Sequence, residues 1–321
     1  GYATFGRVFS DQWKAQVGLR YEHAFLSFLL RDGSRMTRDF PGFFPSVYWT
    51  YSPKKGTDFQ LSYSMRVNRP GQESLNPIVD YSNPQSIRKG NPDLKPENTH
   101  AFEFNAVKFS RKGSISGSVY MNNTTNMFSR YLTVDSNGAV VVSWQNFSTR
   151  QRYGLSANAM GRFVPWMNLQ ASADAYFSTI DGGNLQAGLQ QSGFGWNGRL
   201  NATVELSKIQ QLQITYMQMG AGPTGQGVRK PMGGLDLGYK VDLMKRHLSI
   251  SARLSDVFKT RQFGFIQDRP GVYIDFERYR ESRIFFINVQ YRFGQQNNER
   301  KGRGGRQPGM PGGGGMEMMD L

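Results

Sequence analysis

The segment from Asp58 to Asn68 alternates strictly between apolar and polar side chains, and this alternation constrains the fold more than any other feature. The apolar positions are Phe59, Leu61, Tyr63, Met65 and Val67, and the polar positions are Gln60, Ser62, Ser64, Arg66 and Asn68. Successive side chains of a β-strand point to opposite sides, so the pattern predicts a strand with one apolar and one polar face. Such a strand borders two different environments.

The same two-sided pattern recurs along the chain. In its cleanest copy the apolar side chains are Trp196, Leu200, Ala202, Val204 and Leu206, and the last copy ends at Phe293. We count about thirteen such strands, whereas no window approaches the ~18 apolar residues of a membrane helix. The pattern therefore favours a wall of strands that separates lipid from water.

The connections between these strands alternate between two lengths. Short connections are expected at Ser10, Pro53, Arg111, Pro165, Lys208 and Met244. Longer connections are expected near Gly33, Ser82, Asn137, Gly182, Gly225 and Asp268. Short periplasmic turns and long outer loops are typical of outer-membrane barrels. The sequence therefore predicts an all-β fold, an antiparallel transmembrane β-barrel.

Three connections are predicted in more detail. A polar loop is expected from Arg31 to Pro41, and a flexible loop from Gly220 to Gly225. The Asp135–Gly138 stretch predicts a tight hairpin, because its Asn-Gly step accepts the positive φ angles of primed turns.

Composition agrees with a barrel and argues against other classes. Mean hydropathy is −0.54, but a barrel hides its apolar signal because every second residue faces lipid. The 15 tyrosines and 23 phenylalanines are expected where rings crowd both membrane interfaces. The net charge of +15 is scattered among strands, turns and loops, so lumen lining and lipid headgroups explain it better than nucleic acid. No cysteine is present for disulfide or thiolate chemistry.

One stretch has a more specific pattern. The first alternating strand runs into Arg69-Pro70, followed by Leu75-Asn76-Pro77, Asn83-Pro84 and the run from Gly90 to Glu97, after which a second alternating strand begins. The run is Gly90, Asn91, Pro92, Asp93, Leu94, Lys95, Pro96 and Glu97. This combination resembles the barrel of TonB-dependent outer-membrane receptors and the barrel proteins related to them, and the resemblance extends to Phe293.

The resemblance implies a fold and a function. It implies energy-coupled uptake of a bulky nutrient, a metal chelate or an oligosaccharide, across the outer membrane of a Gram-negative bacterium. The receptors have about 22 strands and an N-terminal plug. The partners we expect are outer-membrane lipid, the plug, a TonB-type energy-coupling complex and a surface lipoprotein; we expect no nucleic acid and no cofactor.

The order of short and long connections sets an orientation and a domain division. Because the final strand should end in the periplasm, an odd strand count means that the first strand descends from outside. We therefore expect residues 1–293 to be the C-terminal part of the barrel, with about nine strands and the plug preceding them. Residues 294–321 are rich in glycine, methionine and arginine without periodicity, which predicts a disordered periplasmic tail.

Candidate functional residues are the charges on the polar faces of the strands. The substrate-path candidates are Arg66, Glu103, Arg199, Glu205, Asp236 and Arg253. Cross-strand ion pairs and plug contacts in a water-filled interior are an alternative role for them. The Gly90–Glu97 run is expected to be structural, because its prolines fix φ and keep the preceding residues extended. Glu97 is expected to pair with Arg66 or Arg69.

Catalysis has little support in the sequence. The histidines, His23, His100 and His247, lie far apart without metal-ligand spacing, and no Gly-Xaa-Ser-Xaa-Gly motif occurs. We therefore expect a protein that is not an enzyme. Two rivals to nutrient uptake stay open: an outer-membrane barrel that transports nothing and serves as a scaffold or subunit of a secretion or surface assembly, and a passive channel of about 14 strands.

Overall fold

The computed structural model describes residues 1–29, 33, 35–83, 85–269 and 272–293, and in these ranges the chain is almost entirely β. The elements in chain order are β1 (Tyr2–Val8), β2 (Trp13–Leu29), β3 (Arg35–Lys54), β4 (Thr57–Asn68), α1 (Gln72–Leu75), β5 (Ser86–Arg88), β6 (Glu97–Ser110), β7 (Gly113–Val134), β8 (Val140–Val164), β9 (Met167–Asp181), β10 (Gln190–Glu205), β11 (Gln210–Met219), β12 (Gly222–Pro223), β13 (Val228–Arg229), β14 (Met232–Leu243), β15 (Leu248–Leu254), β16 (Phe263–Arg269), β17 (Val272–Arg278) and β18 (Phe285–Tyr291). A 3₁₀ turn, Met244–Arg246, precedes β15. No helix in these ranges is long and apolar enough to span a membrane.

Thirteen of the described strands form one continuous sheet, the wall sheet. Its order is β1-β2-β3-β4-β6-β7-β8-β9-β10-β11-β14-β15-β18, and every neighbouring pair is antiparallel. The predicted all-β fold and its alternation of short and long connections are confirmed. Within the described residues, β1 and β18 each pair along one edge and leave the other edge free.

The two faces of the wall sheet differ as the alternation requires. Leu61 on β4 is 60% exposed, and Ile287 and Val289 on β18 are 64% and 62% exposed. Their face carries no second layer, and an apolar surface of this extent is stable only against lipid. The opposite face carries Ser62, Glu103 and other polar side chains, together with the inward-folded loops. We call these the lipid face and the lumen face.

Aromatic rings crowd the lipid face in cross-strand rows. One row runs through direct partners from β2 to β10: Val17, Val47, Tyr63, Phe102, Met121, Tyr153, Phe177 and Phe194. Near the short turns, the Trp13 and Tyr51 rings stack with centroids 4.3 Å apart. Such rings are amphipathic or polarizable and suit the two interfaces of a membrane.

One connection predicted as a loop is largely strand. Much of the predicted polar loop before Pro41 is strand, because β3 begins at Arg35 and pairs with β2. Pro41 and Pro45 are tolerated in β3 because β4 pairs with β3 only from Ser46 onward. Before Ser46, the edge of β3 that faces β4 makes no ladder hydrogen bonds, so a missing backbone N–H costs nothing on that side. Residues 30–32 and 34 of the connection lie outside the described residues.

The hairpin predicted at Asp135–Gly138 is confirmed, because β7 pairs with β8 around it, but its turn type differs from the prediction. In the β7–β8 hairpin Gly138 has φ of 81°, but Asn137 does not, so the turn is not a primed one. Instead the Asp135 carboxylate accepts the backbone N–H groups of Asn137 at 2.9 Å and Ala139 at 2.8 Å. Within the Gly220–Gly225 segment, which was predicted to be a loop, Gly222 and Pro223 form β12 and pair with β13. The predicted tail, 294–321, lies outside the described residues.

The loop ends of the wall sheet reach very different heights. β7 and β8 have 22 and 25 residues, well beyond the ~10 that cross hydrocarbon, whereas β15 and β18 have 7 each. Outer loops supply a second sheet of order β12-β13-β16-β17, and β5 adds to β8 in parallel beyond the end of β9. The rim is therefore tall at β7–β8 and low at β15–β18.

Candidate functional site at the loop end of the lumen

On the tall side, loops pack around a small apolar cluster, which we call the loop joint. Its buried members are Met127, Phe147, Ile180 and Leu189, with Tyr131 and Leu185 packed against them. Phe147 is fully buried. A Cβ atom added at Gly225 would lie 2.4 Å from Cζ of its ring, and one at Gly182 would lie 2.8 Å from Cδ1. Glycine at these positions lets two separate loops close onto one ring.

Hydrogen bonds fasten the same loops to the β7–β8 hairpin. The buried Gln226 side chain accepts the Leu132 backbone N–H at 2.7 Å and donates to the Leu132 carbonyl oxygen at 3.1 Å. Arg269, in the last long loop, donates to that carbonyl oxygen at 3.0 Å and to Gln186 at 3.0 Å. Connections far apart in the chain are thereby held as one unit.

The Gly90–Glu97 run lies beside this unit. Backbone N–H groups of Gly90 and Asn91 donate to the carbonyl oxygens of Asn76 at 2.9 Å and Ser74 at 2.7 Å. Leu94 is buried, and the Lys95 N–H donates to Asn146 at 2.8 Å. These contacts are of the kind that a structural segment makes.

Glu97 does not make the ion pair that the sequence led us to expect. Its carboxylate accepts hydrogen bonds from the Asn68 amide at 2.9 Å and the Phe128 backbone N–H at 2.9 Å. Arg69 instead pairs with Glu22 at 2.7 Å. The expectation followed neighbouring strands and could not include Glu22, which lies two strands away from β4 in the wall sheet.

On the low side, the loop ends of β14, β15 and β18 border an open cavity of about 470 Å³, which we call the arginine cavity. Its lining includes Met232, Arg253, Ser255, Arg261, Phe263, Arg278, Arg280, Glu281, Ser282, Ile284 and Phe286. The volume lies in the range of small-molecule sites, which combine apolar walls with a few polar groups.

Two buried carboxylates organise the back of this cavity. Asp236 accepts hydrogen bonds from Arg253 at 2.6 Å and from Arg261 at 2.9 Å, and its other contact is the Asp256 backbone N–H at 2.8 Å. Asp256 accepts hydrogen bonds from the Ser282 hydroxyl group at 2.5 Å and from the backbone N–H groups of Thr260 and Arg261. Each carboxylate is thus satisfied by neutral or cationic donors.

The environment of Asp256 favours its charged form. Burial by itself would raise the pKa of this carboxyl. The hydrogen bonds from Ser282, Arg261 and Thr260 together with the Arg261 charge outweigh burial, so the pKa lies below its usual value of 3.8. Asp256 is therefore an anion at neutral pH.

Arg278 and Arg280 differ from their two neighbours. Among the described carboxylates none lies within ion-pair distance of either side chain, and both are exposed. Arg253 and Arg261 are fixed by Asp236, whereas Arg278 and Arg280 keep their donors for another partner. The cavity can therefore offer guanidinium groups to a bound anion.

The structure brings only part of the predicted substrate path together. Asp236 and Arg253 meet at the arginine cavity. Glu205 lies at the short-turn end, paired with Arg162 at 2.6 Å. Arg66, Glu103 and Arg199 lie on the lumen face of β4, β6 and β10, where their cross-strand partners include Thr99, Ser62 and Ser172.

Sequence reasoning missed Arg261, Arg278 and Arg280. They belong to the long connection between β15 and β18, for which the sequence predicts only a long connection near Asp268. The spacing of arginine at 278, 280 and 283 is the signal that was available. No group of three or more His, Cys, Asp or Glu in the described ranges is placed to hold a metal ion.

A polar lumen face, a lipid face banded with aromatic rings, and alternating short and long connections define an integral outer-membrane β-barrel protein. A family model described as "Outer membrane protein beta-barrel family" matches residues 1–291, and the chain belongs to this family. Its location is the outer membrane of a Gram-negative bacterium. A search of curated proteins found no match.

Solved structures with the same fold are TonB-dependent receptor barrels. The ferric yersiniabactin uptake receptor FyuA from Yersinia pestis has 13% identity and a TM-score of 0.63, covering 91% of this chain and 45% of its own. The copper transporter OprC has 13% identity and a TM-score of 0.61, with 91% and 47% covered. The siderophore receptor PirA from Pseudomonas aeruginosa has 14% identity and a TM-score of 0.54, with 81% and 45% covered. The chain thus spans less than half the length of these proteins.

Proposed function

We propose that this chain is the C-terminal part of the barrel of an outer-membrane receptor that takes up a bulky solute, such as a metal chelate or an oligosaccharide. The observation that carries the proposal is the arrangement of the lumen face, where inward-folded loops close the tall side and leave the arginine cavity open on the low side. A solute arriving from outside meets this cavity at the loop end of the wall. The likeness to receptors described as siderophore receptors or metal transporters supports the same function.

The free edges of β1 and β18 indicate how the wall sheet continues in the whole barrel. Backbone groups at an open sheet edge are unsatisfied in hydrocarbon, so spanning sheets close on themselves. The proposal assigns both edges to further wall strands of the same polypeptide, and places a plug in the lumen. Energy for uptake then comes from a TonB-type complex that acts on the plug.

Two measurements on the intact protein test this proposal. In planar bilayers a plugged receptor gives no steady ion conductance until denaturant loosens the plug, whereas a passive channel conducts at once. The periplasmic domain of TonB should also co-purify with the intact receptor. Steady conductance without denaturant would favour the passive channel. A silent barrel that does not bind TonB would favour the scaffold or secretion subunit.

A further inference from the structure

We propose that the arginine cavity binds a solute that carries an anionic group, such as a carboxylate or phosphate, joined to an apolar body. This inference rests on the proposed function, because it takes the lumen as the path of the solute. It goes further by naming the chemistry of the ligand and the residues that contact it, Arg278 and Arg280 above all.

Two arginines of the cavity are paired with a carboxylate of the protein itself. Arg253 and Arg261 are held by the same carboxylate, that of Asp236, at 2.6 and 2.9 Å. Each guanidinium group is therefore held at one nitrogen before a ligand arrives. Planar guanidinium groups suit carboxylate and phosphate oxygens, which they bind with two parallel hydrogen bonds.

The other two arginines of the cavity have no such carboxylate partner among the described residues. Arg278 and Arg280 line the same cavity as Arg253 and Arg261, yet no described carboxylate lies within ion-pair distance of them. Glu281 is the one acidic side chain of the lining in the described residues, and it makes no ion pair there. Four arginine charges exceed the three carboxylates of Glu281, Asp236 and Asp256, so the cavity keeps an excess of positive charge that fits a ligand of opposite charge.

The apolar residues of the lining indicate that the ligand also has an apolar part. Met232, Phe263, Ile284 and Phe286 share the cavity with the arginines. Their surfaces are available to an apolar or aromatic body, and guanidinium planes also stack on aromatic faces. Inorganic phosphate alone would leave these walls uncovered.

Charge-selective labelling of a cysteine measures the potential of the cavity directly. The chain contains no cysteine, so Ile284→Cys places one thiol in the lining. Tyr81→Cys is the matched control, because Tyr81 is also exposed but lies in the β4–β6 loop outside this lining. Both variants of the intact protein are treated in outer membranes with an anionic and with a cationic thiosulfonate reagent of similar size.

After division by the control ratio, the anionic reagent should react with Ile284→Cys about 10-fold faster than the cationic one, since local potentials of a few kT act on the encounter. Adding Arg278→Ala and Arg280→Ala should abolish this preference. Phthalate, an aromatic dicarboxylate, should protect the thiol better than inorganic phosphate.

Equal normalised rates, or a preference that survives loss of both arginines, would overturn the proposal. Failure of phthalate to protect would overturn it too. Absence of labelling by either reagent would mean that another part of the protein fills the cavity, and would also contradict it. The labelling requires no transport, so its outcome is separate from the conductance and TonB tests of the proposed function.

Discussion

The loop joint, beside β7 to β10, and the arginine cavity, beside β14, β15 and β18, lie at the same loop end of the wall sheet and use their space in opposite ways. The loop joint fills its volume with buried apolar side chains and satisfies its polar groups, as with Gln226 on the Leu132 backbone. The arginine cavity leaves about 470 Å³ open and holds cations with no carboxylate partner among the described residues. The first arrangement stabilises the fold, and the second is available to bind a ligand.

Strand length explains why the two regions differ. β7 and β8 rise far beyond the hydrocarbon and supply a surface on which loops can pack, whereas β15 and β18 end early. The loop between β15 and β18 therefore starts low and turns back over the lumen, carrying Arg261, Arg278 and Arg280 with it. Closure on one side and access on the other follow from one uneven rim.

Removing the central ring of the loop joint should have the largest effect on stability. Phe147→Ala leaves a cavity at a fully buried site, and we expect it to lower the free energy of unfolding by about 3–5 kcal/mol. Urea unfolding of the intact protein in detergent micelles measures this. Phe258→Ala is the control, because Phe258 is 65% exposed. Equal unfolding midpoints for the two variants would show that the joint does not hold the loops.

Overpacking the same joint should cost less. Gly225→Ala places a Cβ 2.4 Å from the Phe147 ring, and we expect a loss of about 1–3 kcal/mol. Gly71→Ala, whose Cβ would meet nothing within 4 Å, should be nearly neutral. The double variant with Phe147→Ala should be more stable than the sum of the two losses implies, because the new methyl then occupies vacated space. Strict additivity would argue against direct contact.

Acid should loosen the arginine cavity and leave the loop joint unaffected. Because the folded-state pKa of Asp256 is lowered below 3.8, its stabilisation is complete above that value and is lost as the pH falls through the folded-state pKa. Limited proteolysis of the 255–284 loop at falling pH measures this. Asp256→Asn should show the looser loop already at neutral pH and lose the pH dependence. The backbone tolerates asparagine, since Asp256 has φ of 45°. A loop whose proteolysis does not change in acid would refute the assignment.

The smallest effect is expected on the second sheet, β12-β13-β16-β17. Lys230 pairs with Asp275 at 2.5 Å and Glu277 at 2.6 Å, and these hydrogen bonds raise the pKa of Lys230. The Asp275 and Glu277 side chains are 42% and 40% exposed, and ion pairs to exposed carboxylates contribute little, so Lys230→Ala should leave the urea midpoint unchanged. A clear shift of the midpoint would mean that this sheet supports the cavity.

The wall sheet could be predicted because apolar and polar residues alternate along each strand. Leu61 and Ser62, for example, indicate the lipid face and the lumen face of β4. The loops were less predictable, because their contacts join residues far apart in the chain. Gln226 recognises the Leu132 backbone across 94 residues, and no local pattern encodes that pairing. Asp236 and Arg253 were found as lumen charges on strands of the wall sheet, whereas Arg278 and Arg280 lie in the long connection between β15 and β18.

The central claim is that neighbouring residues of one strand face lipid and water, and fluorescence at single cysteines tests it most directly. An environment-sensitive dye attached at Leu61→Cys of the intact protein in liposomes should be quenched by nitroxide-labelled lipid chains and protected from aqueous iodide. The same dye at Ser62→Cys should show the reverse. Iodide quenching at both positions, or lipid quenching at Ser62→Cys, would contradict the account.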